Sequence, residues 1–234
     1  MYFLAIQNTY EAIEVALCDT TRQLDAAQIS KIDASKLLIN TLDQLLQRNN
    51  RSLSDISFIA VNQGPGPFTT LRVVIATVNG ISFARGIPLV GINGLQALLQ
   101  EHAHTNYPFA LGLLNAFNND VYFGVSSHGT MIQDGYDNIH TLMTHLVQQF
   151  PTQSFYCSGN AIALHRTEII AALGSRAIIP EHIPATCSLE QIHSLGLEQW
   201  HQRIGIATQL MPLYLKPFTS FIPEHHGNVK TPRS

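Results

Sequence analysis

Two glycines stand just ahead of a helix in the segment AVNQGPGPFTTLR, residues 60–72, an arrangement that can hold an anion. The free N–H groups of a first helical turn and the positive end of the helix dipole attract phosphate. Gly64 and Gly66 supply the turn, and Thr69 and Thr70 are placed to cap the helix. The specific nucleotide templates are not met. A P-loop ends in Gly-Lys-Ser/Thr, whereas this helix opens with Thr69, Thr70, Leu71 and Arg72, and a dinucleotide fingerprint needs a glycine where Thr69 stands. Pro65 and Pro67 also remove two backbone donors. By spacing alone the segment reads first as a rigid strand-to-helix turn and second as a phosphate cradle.

Other candidate chemistry is thin. The chain has 11 histidines, but His102 and His104 point to different helix faces, and His140 and His145 are splayed by more than a turn. Neither pair matches a zinc pattern, His225 and His226 stand near the C-terminal end, and no metal site is expected. There is no G-x-S-x-G elbow, and Cys18, Cys157 and Cys187 lack a neighbouring base in any known signature. Glu11, Glu14 and Asp19 in the first hairpin read as solvated turn carboxylates. No complete catalytic set is present.

The elements that would position these residues follow from periodicity. Tyr2–Ile6 and Ile13–Cys18 form a hairpin around Gln7–Glu11. Ala34–Gln47 is a helix with Leu38, Leu42, Leu45 and Leu46 on one face and Asp33 placed to cap it. Ile56–Val61 is a strand leading into the Gly-Pro turn. The next helix, Leu71–Arg85, has no charge between its terminal arginines. Leu71, Val74, Ile75, Val78 and Ile81 make a bulky stripe, and Val73, Ala76, Gly80 and Ala84 a small one, so both sides require cover. Ile87–Ile92 is a strand, and Gly94–Glu101 opens a helix. A similar order then recurs: strands Phe109–Leu114 and Val121–Ser126, helix Asn138–Phe150, strand Ser154–Cys157 and helix Ala161–Leu173 capped by Gly174. The repetition predicts a duplicated α/β architecture with two lobes.

Composition narrows the classes. Charged residues are 12% of the 234, against roughly 25% in ordinary domains, which favours life in a complex. A net charge of −3 without a basic stripe argues against tight binding of nucleic acid by this chain alone. Three widely spaced cysteines fit a reducing cytosol, and neither a signal peptide nor an apolar run of the ~20 residues that span a bilayer is expected, so the location read is cytoplasmic.

The turn and its surroundings also carry a family resemblance. GPGPFTTLR, with GISFARGIPLVGINGL behind it, resembles the bacterial tRNA threonylcarbamoyladenosine biosynthesis family TsaB, also called YeaZ. The family pattern is close to G-x-G-S-F-T-G-[LV]-R followed by G-[LI]-A-x-x-x-x-[IL]-P-x-x-G-[IV]-[ST]-[ST]-L. Gly64, Gly66, Phe68, Thr69, Leu71, Arg72, Gly80, Pro88, Gly91 and Leu95 match it. LAIQNTYEAIEVAL, NAFNNDVYFGV and MPLYLK are similar to further family segments, so the resemblance spans nearly the whole chain.

The resemblance implies an α/β fold of two RNase-H-like lobes, of the actin-like, sugar-kinase-like ATPase superfamily. The expected first lobe covers residues 1–100, with the C-terminal helix able to return to it; the second covers 101–217, and 218–234 form a flexible tail. The implied role is a non-catalytic subunit that pairs with the related transferase TsaD. That complex forms N6-threonylcarbamoyladenosine at position 37 of ANN-decoding tRNAs, and a small ATPase, TsaE, joins it. The interface residues implied on this chain are Leu38, Leu42, Leu45, Val73, Ala76, Thr77, Gly80 and Ala84, with a homodimer through the same helix as an option. tRNA is reached only through the complex. No cofactor is implied, save a nucleotide at an interface shared with the partner, for which Asn8, Thr9, Gly64, Gly66 and Thr69 are the candidate contacts.

Departures from the pattern bear on the alternative, a small-molecule kinase or ATPase of the same fold. Gln7 stands where the family has Asp, Asp33 where it often has His, and Asn115 and Phe117 where it has Asp and Arg. Pro67 and Thr70 replace Ser and Gly beside the turn. An uncharged Gln7 cannot help hold a metal-bound phosphate. A peptidase reading would need a metal-binding histidine pair that the sequence does not offer.

Overall fold

The computed structural model describes residues 1–102 and 106–216. The expected tail at 218–234, with His225 and His226, and also His104, lie outside the described residues. Two sheets are built on one plan. In the first, β1 (Tyr2–Asn8), β2 (Ala12–Cys18) and β3 (Gln23–Ser30) form an antiparallel meander. β4 (Ile56–Asn62) and β5 (Leu89–Ile92) then add in parallel beside β1, giving the order β11-β5-β4-β1-β2-β3 once β11 (Ile206–Ala207) closes the far edge. In the second, β6 (Phe109–Asn115), β7 (Asp120–Ser127) and β8 (Thr130–Asn138) repeat the meander. β9 (Phe155–Ser158) and β10 (Ala177–Ile178) repeat the parallel pair.

The alternating side chains of β1 decide which helix meets which face. Leu4 and Ile6, with Val15, Leu17, Ile59 and Val61, face α1 (Ala34–Arg48) and α2 (Phe68–Arg85) in one continuous core. Phe3 and Ala5, with Ala16, Phe58 and Ala60, face the opposite way, towards α3 (Gly94–Glu101) and α7 (Leu189–Gln202). α3 also packs on β6, β7 and β8, so α3 and α7 form a helical layer between the sheets. The outer face of the second sheet is covered by α4 (Ile139–Gln149), α5 (Ala161–Leu164) and α6 (Arg166–Leu173). α7 and β11 bring residues 189–207 back to the first sheet. The stack His193–Phe3–Phe58–Trp200 ties α7 down, with ring centroids 5.3, 4.4 and 4.6 Å apart. Among the described residues, no helix is long and apolar enough to cross a membrane.

Several local expectations are corrected. β3 and β8 were not foreseen: QLDAAQIS and TMIQDGYDN are edge strands whose largely exposed faces lack apolar alternation. α2 begins at Phe68, so Pro67 and not a threonine is its N-cap, and the Thr70 hydroxyl donates back to Pro67 O. Asp33 occupies the N-cap position of α1 but its side chain caps nothing. The helix expected at 161–173 kinks at His165, although the backbone bonds His165 N to Ala161 O and Ile169 N to His165 O both form.

Candidate partner-binding face and first turn

α2 is the uncharged helix, and the structure separates its two stripes. Leu71, Val74, Ile75 and Val78 are buried in the core beneath it, and Ile81 packs against that core. Ala76, Gly80 and Ala84 face solvent, with Val73 and Thr77 half-buried beside them. A Cβ placed on Gly80 would meet no atom within 4 Å. Phe83, three residues from Gly80 and on the same side, is 94% exposed. Sequence reasoning missed it, although its spacing from Ala76 and Gly80 was the signal.

The leucines of α1 require a correction. Leu38, Leu42 and Leu45 are buried in the first core, so they cannot present a surface to a partner while the chain is folded. The apolar positions that α1 and its lead-in turn do expose are Ile32, Leu37 and Ile39. α1 packs beside α2 on the same face of the sheet, but Leu37 and Ile39, two residues apart, point to different sides of α1.

A C-terminal strap fixes α2 from the side. Asn79 exchanges bonds with Leu210 at 2.9 and 2.8 Å, Ser82 Oγ donates to Thr208 O at 3.0 Å, and Arg72 Nε donates to the Tyr214 hydroxyl at 3.0 Å. Leu213 N donates to Gln63 O in the turn at 2.8 Å. The strap then reaches the second sheet, where Lys216 Nζ lies 3.6 Å from Asp120. These bonds hold one side of α2 in place and leave Gly80 and Phe83 bordering a shallow cavity of about 620 Å³.

The first turn is closed on itself. Gln7 is buried; its Nε2 donates to Cys187 O at 2.5 Å, and its Oε1 accepts from the Cys187 thiol at 3.0 Å. The Thr9 hydroxyl donates to Ala12 O at 3.1 Å and accepts from Ala12 N at 3.0 Å, which closes the β1–β2 hairpin. Asn8 is buried against Gly66 with both amide atoms unpartnered. Gly64 has φ +101°, and its amide donates to Asn62 Oδ1 at 2.8 Å. A Cβ at Gly64 would also lie 2.9 Å from Leu71. Thr69 is exposed on the first turn of α2. Asn8, Gly64 and Gly66 are therefore brought together, while Thr9 is committed to the hairpin.

The corresponding turn of the second sheet is strained. Phe117, Asn118 and Asn119 have φ of 65°, 55° and 62°, three successive left-handed residues. Left-handed backbone costs L-residues about 1–2 kcal/mol each, and phenylalanine lacks the short polar side chain that eases it for asparagine. Phe117→Gly should therefore raise the urea midpoint, by about 1 kcal/mol in stability, because the 58% exposed ring has little burial to lose. An unchanged or lower midpoint would contradict this.

Burial pushes the Cys18 and Cys157 thiols up to about 12 and raises Cys187 further, so all three stay protonated at neutral pH. Burial likewise raises Glu14, whereas hydrogen bonds from Thr21 hold the exposed Asp19 down to about 2. Among the described residues, no group of three His, Cys, Asp or Glu could hold a metal ion.

Twin meander-plus-parallel sheets with a helical layer between them define the two-lobed α/β architecture of the actin-like, sugar-kinase-like ATPases. A Listeria monocytogenes protein described as a putative N-acetylmannosamine kinase shares that fold, with a TM-score of 0.53 at 11% identity over 85% of this chain and all of that one. A Pseudomonas aeruginosa protein described by its similarity to peptidase YeaZ superposes with a TM-score of 0.74 at 22% identity, covering 92% of this chain and 99% of that one. In sequence, the Haemophilus influenzae tRNA threonylcarbamoyladenosine biosynthesis protein TsaB is 27% identical over 124 residues, 51% of each chain. This chain thus spans about half the length of the curated relatives it matches. The family model for TsaD, tRNA N6-adenosine threonylcarbamoyltransferase, matches residues 28–205, and the chain belongs to that family, within its TsaB/YeaZ group.

Proposed function

We propose that the chain is a non-catalytic subunit of the assembly that forms N6-threonylcarbamoyladenosine at position 37 of ANN-decoding tRNAs. In that role it pairs with and supports a TsaD-like transferase. The observation that carries this reading is the open apolar stripe of α2, Ala76, Gly80, Phe83 and Ala84, in a chain of this family. A fully exposed phenylalanine beside small residues is what a helix-crossing contact uses, since small side chains allow close approach and the ring fills a pocket opposite. Val73 and Thr77 border that stripe. A TsaE-like ATPase joins the assembly, tRNA is reached through the complex, and a second copy of the chain can occupy the stripe when the partner is absent. The expected place of work is the cytoplasm. The first lobe is assigned residues 1–100 together with the returning α7, β11 and the strap along α2, and the second lobe the rest of 101–217.

Affinity purification of the tagged chain from its own host, followed by mass spectrometry, tests the pairing. A TsaD-like protein in near-equal amount is expected, and its absence from a folded, soluble preparation would count against the reading. The kinase or ATPase alternative is disfavoured by Gln7, whose uncharged amide is already spent on Cys187. The chain alone should therefore show no steady ATP turnover. A turnover that disappears in Gln7→Ala would contradict this.

A further inference from the structure

A trough on the first sheet, on the face away from α1 and α2, plays no part in the partner contact. It encloses about 460 Å³ where the segment leading into α7 stands beside β2 and β3. Strand register builds its floor. Gln7 pairs with Glu14 and Glu14 with Gln28, so three polar side chains run in a row across β1, β2 and β3. The next row on that face is Ala5, Ala16 and Ala26; Ala5 and Ala16 are buried in the core with α7, and Ala26 lines the depression.

Among the described residues, Glu14 is the one carboxylate lining this space, and no lysine, arginine or histidine lines it. Glu14 is met by a 3.4 Å contact from Gln7 Nε2, whose amide is committed to Cys187. Among the described residues no ion pair includes Glu14. A second carboxylate stands behind the same wall, Glu101, which accepts from Ser188 N at 2.9 Å. Burial already raises the Glu14 pKa, as expected where a carboxylate lacks a compensating charge. The apolar side chains on the remaining walls are Ala26 and Leu189, beside the polar Thr9, Gln28, Thr186 and Ser188; Ala27, paired with Val15, turns its methyl to the opposite core. A single carboxylate is too few oxygens for calcium or magnesium, which take six or more ligands. A half-buried carboxylate beside these apolar side chains instead complements a cation carried on a carbon stem.

The geometry assigns this trough as a binding site for an organic cation, an alkylammonium or guanidinium group meeting Glu14 with its stem along Ala26 and Leu189. Two sources share that chemistry, a free small amine and a lysine or arginine side chain of another protein. The assignment is independent of the partner reading.

Calorimetric titration of the full-length chain at neutral pH tests it, with n-butylamine, n-butylguanidine, the neutral n-butanol and the blocked peptide Gly-Lys-Gly as probes. Both small cations should bind at least tenfold more tightly than butanol. Glu14→Gln should weaken them at least tenfold without lowering the melting temperature, because it removes a charge that burial disfavours. Ala26→Leu, which keeps the carboxylate and fills the stem's path, should weaken them too and serves if Glu14→Gln misfolds. Tighter binding of the peptide than of butylamine would identify a protein side chain as the source, and the reverse order a free amine. Equal affinity for butylamine and butanol, no binding of either small cation, or cation affinity unchanged in both variants would overturn the assignment.

Discussion

Gly80→Glu should leave a folded chain that no longer pairs. Nothing lies within 4 Å of a Cβ at Gly80, so the new side chain projects into solvent in the free protein. Replacing glycine inside a helix also removes a cost of about 1 kcal/mol, so the melting temperature should hold or rise. In the complex the same carboxylate would be desolvated without a partner, which costs about 3–5 kcal/mol. That is about two to four orders of magnitude in affinity, enough to abolish a micromolar complex. Ala76→Glu should behave alike, since Ala76 is exposed on the same stripe. Val78→Glu supplies the contrast. Val78 is fully buried in the first core, and a charge there should unfold the chain, a loss of over ~4 kcal/mol. Thermal melts by circular dichroism and size-exclusion with the copurified partner separate the two outcomes. If Gly80→Glu pairs normally, the interface lies elsewhere.

Gly159→Ala should be the most damaging single methyl group in the second lobe. The glycine sits at φ +103°, where an L side chain is strained, and its Cβ would fall 2.0 Å from Leu113 O and 2.7 Å from Leu113 C. Those are backbone atoms of β6, a central strand of the second sheet, and cannot swing aside. The neighbouring chain is also fixed, with Gly159 N donating to Pro184 O at 2.7 Å and Asn160 N to Ala185 O at 2.9 Å. Backbone strain and overpacking together should cost about 4 kcal/mol, a large share of the roughly 5–15 kcal/mol that holds a domain folded. Urea unfolding followed by circular dichroism would register this as a sharply lowered midpoint. Gly80→Ala is the control and should be neutral or mildly stabilising. A loss below about 1 kcal/mol in Gly159→Ala would show that β6 yields, against the rigidity argued here.

The parts of this fold that were legible in the sequence are those whose side chains alternate between two cores. β1, β2, β4 and β6 declare themselves because both faces of each strand are buried, and α3 was read at its observed limits because Asn93 caps it with two side-chain bonds, to Leu95 N and Gln96 N. β3 and β8 were invisible because neither face of these edge strands is buried along most of its length, which leaves no apolar period. The two stripes of α2 could be told apart by size, and the small one is the exposed one. Which leucines of α1 face inward was legible too; reading them as an interface failed because a leucine row covers its own sheet before it meets a partner. Phe83 escaped because an aromatic residue near a helix end is ordinarily core, although its spacing of seven from Ala76 and three from Gly80 puts it on the small stripe. The Glu14 trough escaped for a different reason. It depends on the register that sets Gln7, Glu14 and Gln28 side by side, and Gln28 lies on a strand the sequence did not announce.

The central claim is that this chain supports tRNA threonylcarbamoylation through the stripe on α2. The most direct test is the nucleoside content of ANN-decoding tRNAs, measured by mass spectrometry in the host after deletion of the gene and complementation with variants. The account predicts that N6-threonylcarbamoyladenosine falls to background on deletion, returns with the wild-type chain and with Gly80→Ala, and does not return with a stably folded Gly80→Glu chain. Full modification in the deletion strain, or full rescue by Gly80→Glu, would contradict it.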